Sequence, residues 1–335
     1  MSDIYILGIE TSCDETAAAV VKNGRVVLSN IIYSQEKIHA KYGGVVPEIA
    51  SRNHMDKLGV CVDEAVFSQN LTFNDISAVA VTYGPGLVGA LLTGVSYAKA
   101  LSYAIKKPLI GVNHIEGHIC ANYINHPKLK PPFICLVASG GHTSLFIVKA
   151  HDVYEVVGQT LDDAAGEAFD KTARALGLGY PGGPLLDKIA ETGSDTAINF
   201  PRAINEKDNF DFSFSGLKSA ALNYLNKCKM LETEFSSRDF AASFQRAVVD
   251  VLVGKTIAAA QKYKIKTVAL AGGVSANSCL RKQLKAACKE NKLTLNMPDN
   301  IYCTDNAVMI ATRGYFDFCL EKFSDLSLNA VSRIS

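Results

Sequence analysis

YILGIETSCDETAAAVVKNGRVVLSNII, residues 5–32, reads as three strands joined by two turns. Tyr5 to Ile9 is an apolar run, TSCDET a polar turn and Ala17 to Lys22 a second apolar run. Asn23-Gly24 is a hairpin signal, because both residues tolerate the positive φ that a tight two-residue turn requires, and Arg25 to Ile32 supplies the third strand. The pattern returns in FICLVASGGHTSLFIVKAHDVYEVV, residues 133–157, where SGGHT is the polar turn. Two such openings about 128 residues apart predict an internal duplication, each copy opening a lobe with its own mixed sheet.

Working outward, helical patterns follow each meander: Pro47 to Phe67, Leu87 to Ile105, Asp163 to Leu176 and Arg238 to Tyr263. Short apolar runs at Ala78–Tyr83, Pro108–Val112 and Thr267–Ala271 read as buried strands. Lys207 to Phe214 is turn-rich and reads as a loop, and no low-complexity linker separates the halves. The expectation is an α/β protein with one lobe from residues 1–130 and 306–335, a second from 131–305, and a cleft between them.

The 335 residues are 48% apolar, enough for a large core. Lys plus Arg (34) nearly balances Asp plus Glu (33), which excludes a protein that grips nucleic acid by bulk charge alone. Nine cysteines without a C-x-x-C pair read as reduced thiols, so the expected compartment is the cytoplasm. No signal peptide or membrane span is expected.

NHIEGH, residues 113–118, follows the strand Pro108–Val112. The i,i+4 spacing puts His114 and His118 on one helix face, at a strand's carboxyl end, where open α/β sheets place ligands. A zinc protease of the H-E-x-x-H type needs its glutamate next to the first histidine. Glu116 instead lies about 200° from each imidazole, at roughly 100° per residue, and points to the opposite face. Asp305 in CTDNA, at the start of the last long helix, is the candidate third ligand. Two histidines and one carboxylate suit Fe(II) or Zn(II).

Three glycine loops invite phosphate or nucleotide. SGGHT at 139–143 lets backbone amides converge on an anion. AGGVSAN at 271–277 joins a buried strand to a helix expected to begin at Ser275 or Ala276, with Asn277 in its first turn facing a ribose or base. YPGGP at 180–184 lies between helices carrying Asp170 and Asp187, which suit ribose hydroxyls or are solvated residues of a helix surface. GPGLVG at 84–89 matches G-x-G-x-x-G in letters only, since Asn113 and His114 stand where a dinucleotide site needs an acid. Close packing, or backbone approach to a substrate, accounts for those glycines. GIETSCDE at 8–15 concentrates Glu10, Asp14 and Glu15 more densely than a turn requires.

GIETSCDETAAAV, YGGVVPEIASR, GPGLVGALLTG, NHIEGH, VASGGHT, DDAAGEAFDKTARALGLGYPGGP, FSFSGLKSA, AGGVSAN and CTDNAVMIA, taken in this order, closely resemble the universal tRNA threonylcarbamoyladenosine transferase family, formerly described as an O-sialoglycoprotein endopeptidase. The resemblance runs through the whole chain and looks bacterial in style. It implies the actin-like, sugar-kinase-like architecture of two ribonuclease-H-like lobes. It implies a divalent metal, Fe(II) or alternatively Zn(II), on His114, His118 and Asp305. It implies substrate contacts at Val137, Ala138, Ser139, Gly140, Gly141, Asp170, Gly183, Asp187 and Asn277.

The implied reaction is attack by the exocyclic amine of the adenosine 3′ of the anticodon, in tRNAs reading A-starting codons, on L-threonylcarbamoyl-adenylate, releasing AMP. Glu10, Asp14 and His142 are candidates to take the amine proton. Implied partners are tRNA, a paralogous non-catalytic subunit in a heterodimer, and a small P-loop ATPase. The rivals are a metalloprotease, against which Glu116 stands, an ATPase of the same fold, and a non-catalytic scaffold, for which the ligand residues would have no use.

Overall fold

The structure, a computed structural model, describes residues 3–203 and 208–334. It divides into two compact units, residues 1–129 with 298–335 and residues 130–297. The segment 298–305 therefore belongs with the first unit and not, as the sequence suggested, with the second. The reason is local: Asn125 Nδ2 donates to Asp299 Oδ2 at 2.7 Å, and Asp299 N donates back to Asn125 Oδ1 at 3.1 Å.

In unit 1 the strands are β1 Tyr5–Glu10, β2 Glu15–Lys22, β3 Val26–Ser34, β4 Ala78–Gly84 and β5 Leu109–Asn113. They form one sheet in the order β3-β2-β1-β4-β5. The first three are antiparallel, as the Asn23-Gly24 turn requires, while β4 and β5 run parallel to β1. The helices are α1 Glu36–His39, α2 Pro47–Phe67, α3 Val88–Ile105, α4 His114–Cys120 and α5 Asn122–Asn125. α11, Ala307–Cys319, closes the unit near the carboxyl end.

The period-2 alternation of buried strands divides the core. Leu7, Ile9, Ala18, Val20, Val79 and Val81 pack with Leu58 and Val62 of α2 and Val95 and Ala98 of α3. Ile6, Ala17, Ala19, Ala78 and Ala80 face Ala307–Ala311 of α11 on the other side. α3 is long and apolar enough to cross a membrane by length and composition. Its apolarity has a local account, because it is the crossover between the parallel strands β4 and β5 and packs on the sheet.

Unit 2 repeats the plan. β6 Phe133–Ala138, β7 Thr143–Ala150, β8 Val153–Gln159, β9 Thr267–Ala271 and β10 Thr294–Asn296 are ordered β10-β9-β6-β7-β8. Pairing directions match those of the first sheet strand for strand, so the two meanders do open equivalent sheets. Its helices are α6 Ala165–Ala175, α7 Gly182–Ala190, α8 Ser215–Met230, α9 Ser237–Lys262 and α10 Ser278–Glu290. Ile134, Leu136, Leu145 and Leu270 are sealed by Phe169, Leu186, Phe240, Phe244 and Leu280 from these helices. Each such side chain contributes about 1.5–3 kcal/mol of burial.

Two helix starts lie two or more residues from expectation. α6 begins at Ala165 and not at Asp163, because Asp162 accepts the amides of Phe214 and Ser215, at 2.8 and 3.3 Å, and so holds the start of α8. The helix after AGGVSAN begins at Ser278, with Ser275 and Ala276 in a 3-10 turn, Gly273–Ala276. Of the expected loop Lys207–Phe214, Lys207 lies outside the described residues. Asp208–Phe214 contains no helix, and Phe212 bridges to Thr160.

Candidate functional site

Three parallel strands of unit 1 end together. β1 ends at Glu10, and β5 ends at Asn113, whose side chain caps α4 by accepting from Ile115 N at 2.9 Å. The cap starts α4 at His114, so both histidines stand at the sheet's carboxyl edge with their rings 4.7 Å apart. Asp305 lies just before α11, where Asn306 is the N-cap and accepts from Met309 N at 3.0 Å. Asp305 Oδ1 is 3.4 Å from His114 Nε2 and 3.1 Å from His118 Nε2. These are the one group of ligand-type side chains among the described residues whose donor atoms all lie within 4.8 Å of one another.

The second layer is built from the opening strand. Glu10 is fully buried, and its Oε2 meets His114 Nδ1 at 3.1 Å and accepts from Thr82 Oγ1 at 2.6 Å. Its Oε1 accepts from Ser12 N at 2.5 Å, and Ser12 Oγ reaches the same His114 Nδ1 at 3.2 Å. With Nδ1 so held, Nε2 is the ring atom that faces Asp305, the carboxylate–histidine arrangement common behind metal ligands. Thr82 carried no sequence signal, being one threonine in an apolar strand.

Carboxylates crowd this cluster and shift its titrating groups. Burial opposes charge on His114, yet Asp305 and Glu10 outweigh it and raise the imidazole to about 9. Burial likewise raises Glu10, but the His114 charge and hydrogen bond more than offset this and leave it below the usual glutamate value. Burial, then the charges of Asp14 and Asp305, push Glu15 well above the carboxylate range and the Cys13 thiol well up. His118 is 1% exposed, and neither of its ring nitrogens makes a hydrogen bond, although Nε2 stands near Asp305. Two imidazole nitrogens and a carboxylate oxygen within 4.8 Å of one another make the donor set that a metal ion requires. His114, His118 and Asp305 thus fit a divalent ion of the N,N,O type.

Glu116 faces away from this point, as its spacing predicted. Its Oε2 accepts from Arg313 Nε of α11 at 2.8 Å. It is not placed to serve as the base of a zinc protease. The GPGLVG glycines are packing residues: a Cβ on Gly86 would lie 2.7 Å from the Ser12 carbonyl oxygen, which Leu87 N already bonds at 2.8 Å.

Unit 2 carries the expected substrate-contact residues and His142, at the end of β6, on the turns after β6 and β9 and on α6 and α7. Val137 and Ala138 end β6 and are buried. Ser139 N donates to the His142 carbonyl at 2.8 Å and His142 N to Ser139 Oγ at 3.2 Å, closing the turn. A Cβ on Gly140 or Gly141 would meet nothing within 4 Å, and among the described residues their amides find no protein acceptor. Gly272 has φ +85°, a region glycine tolerates, and a Cβ there would strike the Ala138 carbonyl, so the AGGVSAN turn sits directly on the end of β6.

The polar candidates hold helix starts. Asp170 Oδ1 accepts from Gly182 N and Gly183 N at 2.9 and 3.0 Å, fixing the first turn of α7. Asp187 accepts from Ser278 N at 3.0 Å and Ser278 Oγ at 2.8 Å. Asn277 caps α10 through Leu280 N at 2.9 Å and donates to Gln245 Oε1 at 3.0 Å. Gln245, on α9, escaped the sequence reading because a lone glutamine in a long helix looks like surface.

Known proteins resemble this chain in sequence and in fold. Residues 26–312 match the family described as tRNA N6-adenosine threonylcarbamoyltransferase. Curated relatives carrying that description include one from Clostridium novyi (strain NT), 57% identical over 333 residues and covering 99% of this chain and 98% of its own. Another, from Clostridium botulinum (strain 657 / Type Ba4), is 58% identical over 331 residues, covering 99% and 97%. Among solved structures, the backbone is similar to full-length HypF in its phosphate- and nucleotide-bound form, with TM-score 0.63 at 14% identity, covering 96% of this chain and 47% of that one. It is also similar to component A of (R)-2-hydroxyglutaryl-CoA dehydratase from Acidaminococcus fermentans, with TM-score 0.56 at 15% identity, covering 94% and 99%. At these identities the two structures establish the actin-like fold alone.

Proposed function

The chain belongs to the tRNA N6-adenosine threonylcarbamoyltransferase family, and from this we propose that it moves the threonylcarbamoyl group of L-threonylcarbamoyl-adenylate onto the exocyclic amine of the adenosine 3′ of the anticodon, in tRNAs reading A-starting codons, with release of AMP. One observation carries the reading: a chain similar end to end to named transferases also brings His114, His118 and Asp305 together at the strand ends of unit 1.

Those three residues hold the ion, Fe(II) in this proposal with Zn(II) as the alternative, and Glu10 with Ser12 keeps His114 in register. A bound divalent ion supplies a Lewis acid for an acyl-phosphate or carbonyl oxygen. In unit 2, Gly140 and Gly141 offer open amides to negative charge beside Val137, Ala138 and Ser139. Asp170, Gly183, Asp187 and Asn277 shape the surface for the nucleoside, with the remaining acceptor capacity of the aspartates directed to ribose.

Attack forms one N–C bond, breaks the C–O bond to AMP and releases one amine proton. Both Glu10 oxygens already accept hydrogen bonds, so in this proposal Glu10 positions His114 and Asp14 or His142 takes that proton. An adenylate is already activated, and placing the reactants supplies much of the acceleration.

The proposed partners are tRNA, a paralogous subunit in a heterodimer and a small P-loop ATPase. A formal net charge of +1 is consistent with a tRNA surface completed by a partner. Nine cysteines, none joined in a disulfide, suit the cytoplasm.

The test incubates the chain and its partners with threonylcarbamoyl-adenylate and unmodified tRNA, then digests the tRNA for mass spectrometry, with His118→Ala in parallel. Threonylcarbamoyladenosine from the native chain alone is expected. Its absence from a metal-loaded native sample with working partners, or vigorous ATP hydrolysis by the isolated chain, would favour the ATPase reading.

A further inference from the structure

The metal ligands come from two helices. α4 carries His114 and His118 on one face, while Asp305 is fixed at the head of α11 by the Asn306 cap, whose Nδ2 also donates to Thr304 O at 2.7 Å. How α4 is rolled about its axis against α11 therefore decides whether three donor atoms share one point.

α4 has seven residues, too few to hold itself in helical form without tertiary contacts. A roll of 20° at a side-chain radius of about 5–6 Å would move an imidazole nitrogen by roughly 2 Å. Metal–ligand distances tolerate only about 0.2 Å.

Two contacts between α4 and α11 oppose such a roll, one at Gly117 beside the ligand face and one at Glu116 on the opposite face. At Gly117 a Cβ would lie 2.8 Å from Ile310 Cδ1 and 3.4 Å from Met309 Cγ, so the helices approach closely there. One residue earlier, Glu116 Oε2 takes the Arg313 Nε hydrogen at 2.8 Å, and Arg313 Nη1 stands 2.8 Å from Asp317 Oδ1 on its own helix. The Arg313 side chain is 7% exposed and that of Glu116 26%, so this pair is partly shielded from the water and salt that weaken surface ion pairs. The planar guanidinium donates to Glu116 from Nε in a fixed direction while its Nη1 faces Asp317, a geometry that an ammonium on a flexible stem would not impose.

We propose that Arg313 and Glu116 are positioning residues for the metal centre, locking the roll of α4 so that His114 and His118 converge with Asp305. The inference rests on the metal reading given above and adds residues outside the ligand set. Glu116 thereby acquires a role in this motif opposite to that in a zinc protease: it acts from behind the helix, through Arg313.

The test titrates metal-free, full-length native chain, Arg313→Met, Arg313→Lys and Glu116→Gln with Co2+. It reads affinity and the visible d–d bands, and follows thermal unfolding of each metal-free protein in parallel. Arg313→Met is expected to lower Co2+ affinity roughly tenfold or more and to shift the bands, the size seen when outer-shell partners are lost. Arg313→Lys should recover part of both, and Glu116→Gln should show a smaller loss in the same direction. Native affinity and native bands in Arg313→Met and Glu116→Gln, whatever their unfolding temperatures, would overturn the proposal and leave a stabilising ion pair only. If Arg313→Met does not fold, native values in both Arg313→Lys and Glu116→Gln overturn it equally. A native chain that binds no Co2+ at all removes the metal reading itself, and this inference with it.

Discussion

Glu10 Oε2 lies 3.1 Å from His114 Nδ1, across 104 residues of sequence, and the carboxylate that makes this contact is fully buried. A charge sealed beneath an imidazole persists because three donors satisfy it, and it turns the other ring nitrogen towards Asp305.

Glu10→Gln keeps the shape and removes the charge. Affinity for the divalent ion should fall about tenfold or more, with little change in the metal-free fold. Competition with a chromogenic chelator measures this, and transferase activity should return at high added metal. Unchanged affinity would mean that Glu10 does not serve the metal ligand.

Gly86→Ala places a methyl group 2.7 Å from the Ser12 carbonyl oxygen, in a segment that also feeds Glu10 and His114. Overpacking of this kind costs about 1–3 kcal/mol. Thermal unfolding should show the loss, accompanied by weaker metal binding. A dinucleotide loop would instead lose ligand affinity, so NAD binding by the native chain and not by the variant would reverse the packing interpretation.

Asn277→Ala removes the α10 cap and strips Gln245 of its partner. A destabilisation of about 1–2 kcal/mol is expected in chemical denaturation. Asn277→Asp retains an acceptor for Leu280 N and should stay within about 0.5 kcal/mol of native on that account. Equal loss in both variants would place the weight on Gln245 and not on the cap.

His54 is buried, its Nε2 donating to the Cys13 carbonyl at 2.9 Å, so its Nδ1 accepts from Thr16 Oγ1 at 2.7 Å in the neutral ring. Burial, the largest influence, lowers its pKa below the ordinary 6.5. The unfolded chain then takes up a proton that the fold resists. This stability is fully present above the unfolded value and is lost as pH falls through the depressed one. Replacing His54 by Asn should flatten the acid limb of the stability curve, by at most about 1.4 kcal/mol per pH unit, the slope for one proton. Denaturant midpoints between pH 7.5 and pH 5 would reveal it, and parallel curves would dismiss it.

Local pattern made most of the fold legible. Asn23-Gly24 dictates a hairpin, alternation in β1 and β4 dictates two-sided burial, and the repeat of strand–turn–strand–strand announces the second sheet. These signals act over a few residues, and the physics that reads them is equally local. The spacing of His114 and His118 belongs to the same class, as does the outward direction of Glu116.

Tertiary structure alone decided the rest. Thr82 and Ser12 reach Glu10 and His114, Gln245 reaches Asn277, and Arg313 reaches Glu116 across 197 residues. No periodicity marks such residues, because a hydrogen bond between distant segments is set by where two backbones end up. The aspartates 170 and 187 carry the same lesson. Sequence offered them to a ligand, and the fold first engages them at the amide-rich starts of α7 and α10, because unsatisfied helix N–H groups are the nearest donors. In this protein the sequence by itself determined the two duplicated sheets and the pair of histidines on one helix face, and folding determined which buried side chains hold that face in register, since only the packed chain brings their backbones together.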